Sequence, residues 1–187
     1  MNITFVPLTE LHFPLLLNWL ESTHVKERWD QDIVYTLELV KEKFGEHAHA
    51  FLISNKQDKL TYAYIIKVDD EAIGYIQAYN AKAHAEDNDI DISFIEGQVC
   101  GIDLFIGNKQ FLHKGLGAII IEEFCRQLLA EHFAKCLIDP ESNNEIAIRS
   151  FQKAGFKAVP QLQTENITWM IKELDNLSSN RKINEQR

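Results

Sequence analysis

Asp103 is a carboxylate set inside a short apolar run, Ile102, Leu104, Phe105 and Ile106, and Gly107-Asn108 breaks that run at once. Water solvates a charged carboxylate far better than a packed strand does, so its presence there asks for a purpose. Downstream stands His113-Lys114-Gly115-Leu116-Gly117, and then Ile119, Ile120, Ile121, Phe124, Leu128 and Leu129 at helical spacing. Two glycines one residue apart let a backbone turn tightly and bring several amide N–H groups toward one point, where the positive end of the helix dipole also lies. Lys109, His113 and Lys114 add positive charge, or the capacity for it, around the same turn. The pattern predicts a buried strand ending in an anion site, for a diphosphate; the plainer alternative is that the glycines only close a strand-to-helix turn.

Other residues along the chain have types suited to a site. Trp29 sits in the polar connection Ser22 to Asp30, where it would stack on a ligand ring or anchor a core. Tyr62 to Val68 and Ala72 to Tyr79, with Asp69-Asp70 between them, read as a β-hairpin. On its second strand Ile73, Tyr75, Gln77 and Tyr79 share one face, polar enough to line a site or to be half solvated. Between residues 81 and 98 the carboxylates Glu86, Asp87, Asp89, Asp91 and Glu96 crowd a long connection. That stretch is either a solvated loop or an acidic lip that attracts a polyamine. His47 and His49 have the type of metal ligands, but no third or fourth ligand stands at suitable spacing, so no metal is expected.

These residues need elements to hold them. Ile3 to Pro7 predicts an opening strand, and Leu11, Leu15, Leu16, Trp19 and Leu20 a helix with Pro14 in its first turn. A second helix is expected from about Thr36 to Phe44. After the glycine turn and its helix, Lys135 to Asp139 reads as a strand that Asp139-Pro140 stops. Ser142, Asn143 and Asn144 are candidate N-caps for a helix carrying Ile146, Ala147, Ser150 and Phe151, with Gly155 as its C-terminal cap. Phe156 to Val159 and Ile167 to Ile171 form an expected final strand pair, and a polar tail occupies 176–187.

The chain has 187 residues, 45% of them hydrophobic, the size of one compact domain over 1–175. Neither a long apolar run nor a basic-then-apolar leader is present, which predicts a cytoplasmic protein without a membrane partner. Cys100, Cys125 and Cys136 are expected to pack as small hydrophobes in a reducing compartment. The formal net charge of −9 disfavours nucleic acid as a partner and suits a cationic small molecule. Oligomeric state is not legible.

The order of elements and the motifs together resemble the GNAT family of N-acetyltransferases. His113-Lys114-Gly115-Leu116-Gly117 is similar to the family's pyrophosphate loop, and Asn144-Glu145-Ile146-Ala147 with Phe151-Gln152-Lys153-Ala154-Gly155-Phe156 is similar to its second signature. Over roughly residues 10 to 172 the chain resembles the aminoglycoside 6′-N-acetyltransferases more closely. That likeness runs through Asn18-Trp19-Leu20, Thr23-His24-Val25, Trp29, Ile73-Gly74-Tyr75-Ile76-Gln77-Ala78-Tyr79, Gly101-Ile102-Asp103 and Ile138-Asp139-Pro140.

The resemblance implies an α/β fold of the α+β kind, with a mixed, mostly antiparallel twisted sheet, flanked by helices and splayed at its central strands. It implies acetyl-CoA as co-substrate, without a metal, and a cationic amine as acceptor. Leu104, Phe105 and Ile106 would meet the pantetheine arm, Leu112 to Gly117 the pyrophosphate, and Asn144, Ala147, Phe151 and Lys153 would complete the cofactor site. Trp29, Gln77, Tyr79, Asp91, Asp103 and Asp139 would face the substrate. Asp103 would bind its ammonium and accept its proton, although a purely structural carboxylate is the alternative. Two departures stand out: Leu112 replaces the usual Arg or Gln before the loop, and Phe151 replaces a frequent tyrosine that would protonate the leaving thiolate. Acetylation of a hydroxylysine or polyamine, and CoA binding without turnover, are the rival readings.

Overall fold

The computed structural model describes residues 1–49, 61–85 and 90–175. Glu86, Asp87 and Asp89 of the acidic stretch, and 176–187, lie outside the described residues. Seven strands form one mixed sheet in the order β1-β2-β3-β4-β5-β7-β6. They are β1 Ile3–Pro7, β2 Thr61–Val68, β3 Glu71–Asn80, β4 Val99–Ile106, β5 Lys135–Ile138, β6 Lys157–Ala158 and β7 Met170–Glu173. β4 and β5 run parallel, while β1 with β2, β5 with β7 and β6 with β7 are antiparallel. The helices are α1 Phe13–Leu20, α2 Thr23–Lys26, α3 Leu37–Phe44, α4 Leu116–Phe124 and α5 Glu145–Lys153.

The described residues fall into two compact units, one gathering 1–49, 61–78 and 103–116, the other 79–85, 90–102 and 117–175.

In the first unit, α1 and α3 lay Phe13, Leu16, Trp19, Leu20, Val40 and Phe44 against Ala63 and Ile65 of β2, Tyr75 of β3 and Phe105 of β4. Pro14 lies in the first turn of α1, where its missing N–H has no helical partner to lose. Thr36 caps α3, its hydroxyl accepting from the Leu39 amide at 3.2 Å. The hairpin turn takes Asp69 and Asp70 through left-handed φ values of 47° and 69°, which matches the right-handed twist of β2 and β3. Leu11 departs from the expected helix face: it sits on a 3₁₀ turn, Glu10–His12, and is 90% exposed. A tighter turn has three residues per revolution, so it throws the residue out of phase with α1.

The second unit has its own core, with Ala81, Ile92, Ile95, Val99, Leu137, Val159 and Trp169 packed together. Ile92 and Ile95 come from the acidic connection, which the sequence leaves open between a solvated loop and an acidic lip. Their burial anchors its far end to the sheet. α4 passes directly into a π-helical turn, Cys125–Leu129, with the Ala130 amide bonding to the Cys125 carbonyl at 2.9 Å. α5 begins and ends where expected, with Asn144 Oδ1 accepting from the Ala147 amide at 3.2 Å and Gly155 turning out at φ 91°. Lys172 Nζ adds a second cap, donating to the Ala154 carbonyl at 2.6 Å. The last strand begins later than its apolar run, because Ile167 makes only an isolated bridge to Glu141 and the ladder starts at Met170. All three cysteines are buried free thiols.

Candidate active site

β4 begins at Val99, ahead of the apolar run that revealed it. Its ladder to β5 pairs Val99, Cys100 and Gly101 with Lys135, Cys136 and Leu137, and Asp103 follows two residues beyond that register. Asp103 is half-buried, and its Oδ2 accepts from Gln77 Nε2 at 2.8 Å. Gln77 Oε1 in turn accepts from the Tyr75 hydroxyl at 2.7 Å. One strand over, therefore, β3 presents an amide to the carboxylate of β4.

Aromatic rings pack behind this pair. Tyr75 stacks on Phe105 with centroids 5.6 Å apart, and Trp29 stands edge-on to both, at 5.1 Å from Phe105 and 6.0 Å from Tyr75. Trp29 is half-buried and packs against the core as one of its anchors. Its connection is braced by the Tyr35 hydroxyl on Asp30, by Lys43 on the same carboxylate at 3.2 Å, and by Glu21 accepting from the Tyr35 amide at 2.7 Å.

The end of β4 is held from several directions. His24 Nε2 donates to the Ile106 carbonyl at 3.0 Å, and the tautomer this requires leaves Nδ1 buried without a partner among the described residues. The amides of Gly107 and Asn108 both donate to the Ile73 carbonyl, at 2.8 and 2.9 Å. Any Cβ at position 107 would fall on the Trp19 indole, so only glycine fits there. Thr23-His24-Val25 belonged to the resemblance, but nothing in its residue types pointed to the Ile106 carbonyl.

After a 3₁₀ turn at Lys109–Phe111 the loop bends through His113 at φ 58° and Gly115 at φ 73°, both left-handed. Holding a non-glycine residue there costs on the order of 1 kcal/mol, strain that accumulates at ligand-binding turns. Lys114 Nζ lies 5.4 Å from the centre of the Phe111 ring, a cation–π contact that keeps its charge beside the turn. A Cβ on Gly115 would meet nothing within 4 Å, so the backbone there is open to an incoming group. α4 starts at the next residue. Gly117 lies inside its first turn, and a Cβ there would come within 3.3 Å of Ser150 Oγ on α5. Loop glycines and an N-terminal helix turn are the donors a diphosphate needs, so the residues present fit the diphosphate of a nucleotide-type cofactor.

The remaining candidate residues are placed separately. Asn144 and Ala147 form the capped first turn of α5, Lys153 ends that helix, and Phe151 is buried with its ring edge-on to Phe156 at 5.5 Å. Tyr79 lies over Gly101, where any Cβ would strike its ring, and stands edge-on to His84 at 5.3 Å. Asp139 follows β5, and burial pushes its carboxyl up from the ordinary range, only partly offset by a hydrogen bond from its own amide. Asp91 is exposed, with Oδ1 capping the Ser93 amide at 2.9 Å.

A family model described as an acetyltransferase (GNAT) domain matches residues 9–164. The chain belongs to the GNAT acetyltransferases. It is 30% identical over 161 residues to the aminoglycoside N(6′)-acetyltransferase type 1 of Klebsiella pneumoniae, an alignment covering 83% of this chain and 74% of that one. Two solved structures of AAC(6′)-Ib share the fold at 26% identity. One, in complex with ribostamycin and coenzyme A, superposes with a TM-score of 0.75 over 97% of this chain and 98% of its own. The other, with paromomycin and acetyl-CoA, gives 0.74 over the same shares.

This acetyltransferase therefore uses acetyl-CoA as co-substrate. Among the described residues, no group of three or more His, Cys, Asp or Glu could hold a metal ion. Of the two histidines weighed for that role, His47 sets its ring edge-on to Phe44 at 5.7 Å, and the side chain of His49 lies outside the described residues. No described helix is long and apolar enough to cross a membrane.

Proposed function

We propose that this GNAT acetyltransferase moves the acetyl group of acetyl-CoA to a primary amine of a cationic small molecule, and that the 6′-amine of an aminoglycoside is the acceptor. The observation that carries the reading is Asp103. A carboxylate stands on the central strand just past its β5 ladder, is held by Gln77, and precedes the left-handed turn of the loop. The family match and the aminoglycoside complexes of AAC(6′)-Ib support the choice of acceptor.

The chemistry asks little machinery of the protein. A neutral amine must sit about 3 to 3.5 Å from the thioester carbonyl, with N–H donors ready for the oxyanion. Asp103 binds the ammonium and takes its proton, directly or through water. The amine nitrogen then attacks the carbonyl carbon and the C–N bond forms; the nitrogen gives its second proton to solvent as the C–S bond breaks, leaving the neutral amide and the thiolate. Backbone amides of Leu104 to Ile106 hold the carbonyl and pantetheine arm, the Leu112 to Gly117 stretch holds the diphosphate, and Asn144, Ala147, Phe151 and Lys153 complete the cofactor contacts. Trp29, Gln77, Tyr79, Asp91 and Asp139 face the acceptor. Phe151 offers no hydroxyl to the leaving group, but a thiol with a pKa of about 8.5 leaves tolerably as thiolate near neutrality.

The reading takes 1–175 as one catalytic domain, supported by a family match that runs through both units. It places the enzyme in the cytoplasm, in keeping with three buried free thiols. A thiol-release assay with acetyl-CoA across aminoglycosides, polyamines and lysine derivatives tests it. Fastest release with multi-amine sugars is expected. Preference for a single-amine lysine derivative or a linear polyamine would move the acceptor class, and coenzyme A binding with no release from any amine would leave a binding module.

A further inference from the structure

Tyr75 shares one face of β3 with Gln77 and Tyr79, a face polar enough to line a site or to be half solvated, yet it is wholly buried, with 0% relative exposure. Its ring is fixed on three sides, stacked on Phe105 and edge-on to Trp29 and to Phe44, the last at 5.6 Å. A group so enclosed cannot touch a substrate. Its hydroxyl nevertheless points at one that can, donating to Gln77 Oε1 at 2.7 Å while Gln77 Nε2 donates to Asp103 Oδ2 at 2.8 Å.

A glutamine amide has two chemically different ends of nearly equal shape, and nothing in the side chain itself chooses between them. An ionised carboxylate accepts hydrogen bonds and donates none, so Nε2 must face Asp103. Oε1 must then face Tyr75, and the phenol must donate. We propose that Tyr75 is a positioning residue for acetyl transfer: its buried hydroxyl locks the Gln77 amide in the one orientation that aims an N–H at the Asp103 carboxylate. The inference rests on the reading of Asp103 as the base.

The lock has a direction. While Asp103 is ionised, every bond in the chain runs donor to acceptor. Once Asp103 has taken the amine's proton, the neutral carboxyl accepts the Gln77 N–H less strongly than the carboxylate did, and reversing the amide would leave the buried Tyr75 O–H without its acceptor. The base is therefore disposed to release the proton and return to its ionised form. Burial first, then the charge of Asp103 and the neighbouring Tyr35, push the Tyr75 phenol well up, so it keeps its proton throughout. The ionisable groups coupled to Tyr75 are Asp103 and Tyr35, and behind Tyr35 stand Asp30 and Glu21, with Lys43 paired to Asp30.

Tyr75→Phe removes the hydroxyl and keeps the ring. Carboxyl carbon-13 NMR follows the titration of Asp103, whose resonance is the one missing from Asp103→Asn. In Tyr75→Phe its midpoint should rise by about half a pH unit, and kcat should fall several-fold with coenzyme A binding unchanged. Gln77→Ala should raise the midpoint further, and adding Tyr75→Phe to it should change neither midpoint nor kcat, because the hydroxyl acts only through the amide. Melting curves confirm that each variant is folded, and Gln77→Ala gives a second route should Tyr75→Phe fold poorly. An unchanged midpoint in folded Tyr75→Phe, or full additivity of the two substitutions, would overturn the proposal. If Asp103→Asn keeps wild-type kcat while the midpoint shifts as expected, the lock stands and the base assignment fails. If Asp103→Asn abolishes turnover while Tyr75→Phe alters nothing, the base stands and the lock fails.

Discussion

Asp103→Asn keeps the shape of the side chain and removes its ability to take a proton. If the carboxylate is the base, kcat should fall by roughly 10²-fold or more. The loss should shrink as pH rises, since more of the amine is then already neutral. Acetyl-CoA binding should survive, because the left-handed turn at His113 and Gly115 is untouched. A higher KM at unchanged kcat would mean that Asp103 only holds the substrate's charge. Asp139 predicts a different pH effect. Burial raises its native pKa above the ordinary 3.8, so between 3.8 and the raised value the folded state holds more protons than the unfolded one. Stability therefore falls as pH rises through that window, and the penalty is fully present above it. Asp139→Asn should melt higher than wild type at pH 7, with the gain vanishing below pH 3.8. Equal melting temperatures at pH 7 would mean that the carboxylate is fully compensated. The Gln77 contact with Asp103, by contrast, was invisible in the sequence. Which residues of β3 and β4 face one another is set by strand register, and between strands joined by a long connection no short turn fixes that register locally.

At the scale of elements, the glycine turn makes the sharpest prediction. Gly115 needs its left-handed φ, so Gly115→Ala should strain the loop by about 1 kcal/mol. Gly117 has no such need, and a Cβ there meets only the Ser150 side chain, at 3.3 Å. Gly117→Val should accordingly fold with a small drop in melting temperature while its coenzyme A affinity falls at least about tenfold, an effect of about 1.4 kcal/mol by calorimetry. Unchanged affinity in the folded variant would remove the turn from the cofactor site. The elements that could be read in advance are those with local causes. Asp69-Asp70 makes its own turn, Thr36 and Asn144 cap their own helices, and Gly155 ends α5. The start of β4 at Val99, the late start of β7 and the burial of Ile92 and Ile95 depend on partners distant in sequence. The π turn at Cys125–Leu129 has no local sequence sign, since its apolar spacing reads as ordinary helix.

For the molecule as a whole, the net charge of −9 sets a long-range attraction for any multiply charged amine. Screening weakens such attraction in proportion to the charges on both partners, with a Debye length of about 10 Å at 0.1 M salt. The acceptor's own charge therefore becomes the experimental lever. Raising ionic strength from about 0.02 to 0.3 M should lower kcat/KM for a three- or four-amine aminoglycoside several-fold, with the change in KM and kcat nearly constant. A single-amine acceptor should show a much flatter dependence, and the KM for acetyl-CoA, itself an anion, should not rise in parallel. The contrast matters more than either slope, because general salt effects on the fold would move all three together. Identical slopes for the tetra-amine and mono-amine acceptors would mean that the acidic charge serves solubility alone, and that the carboxylates act on the acceptor only once it is bound.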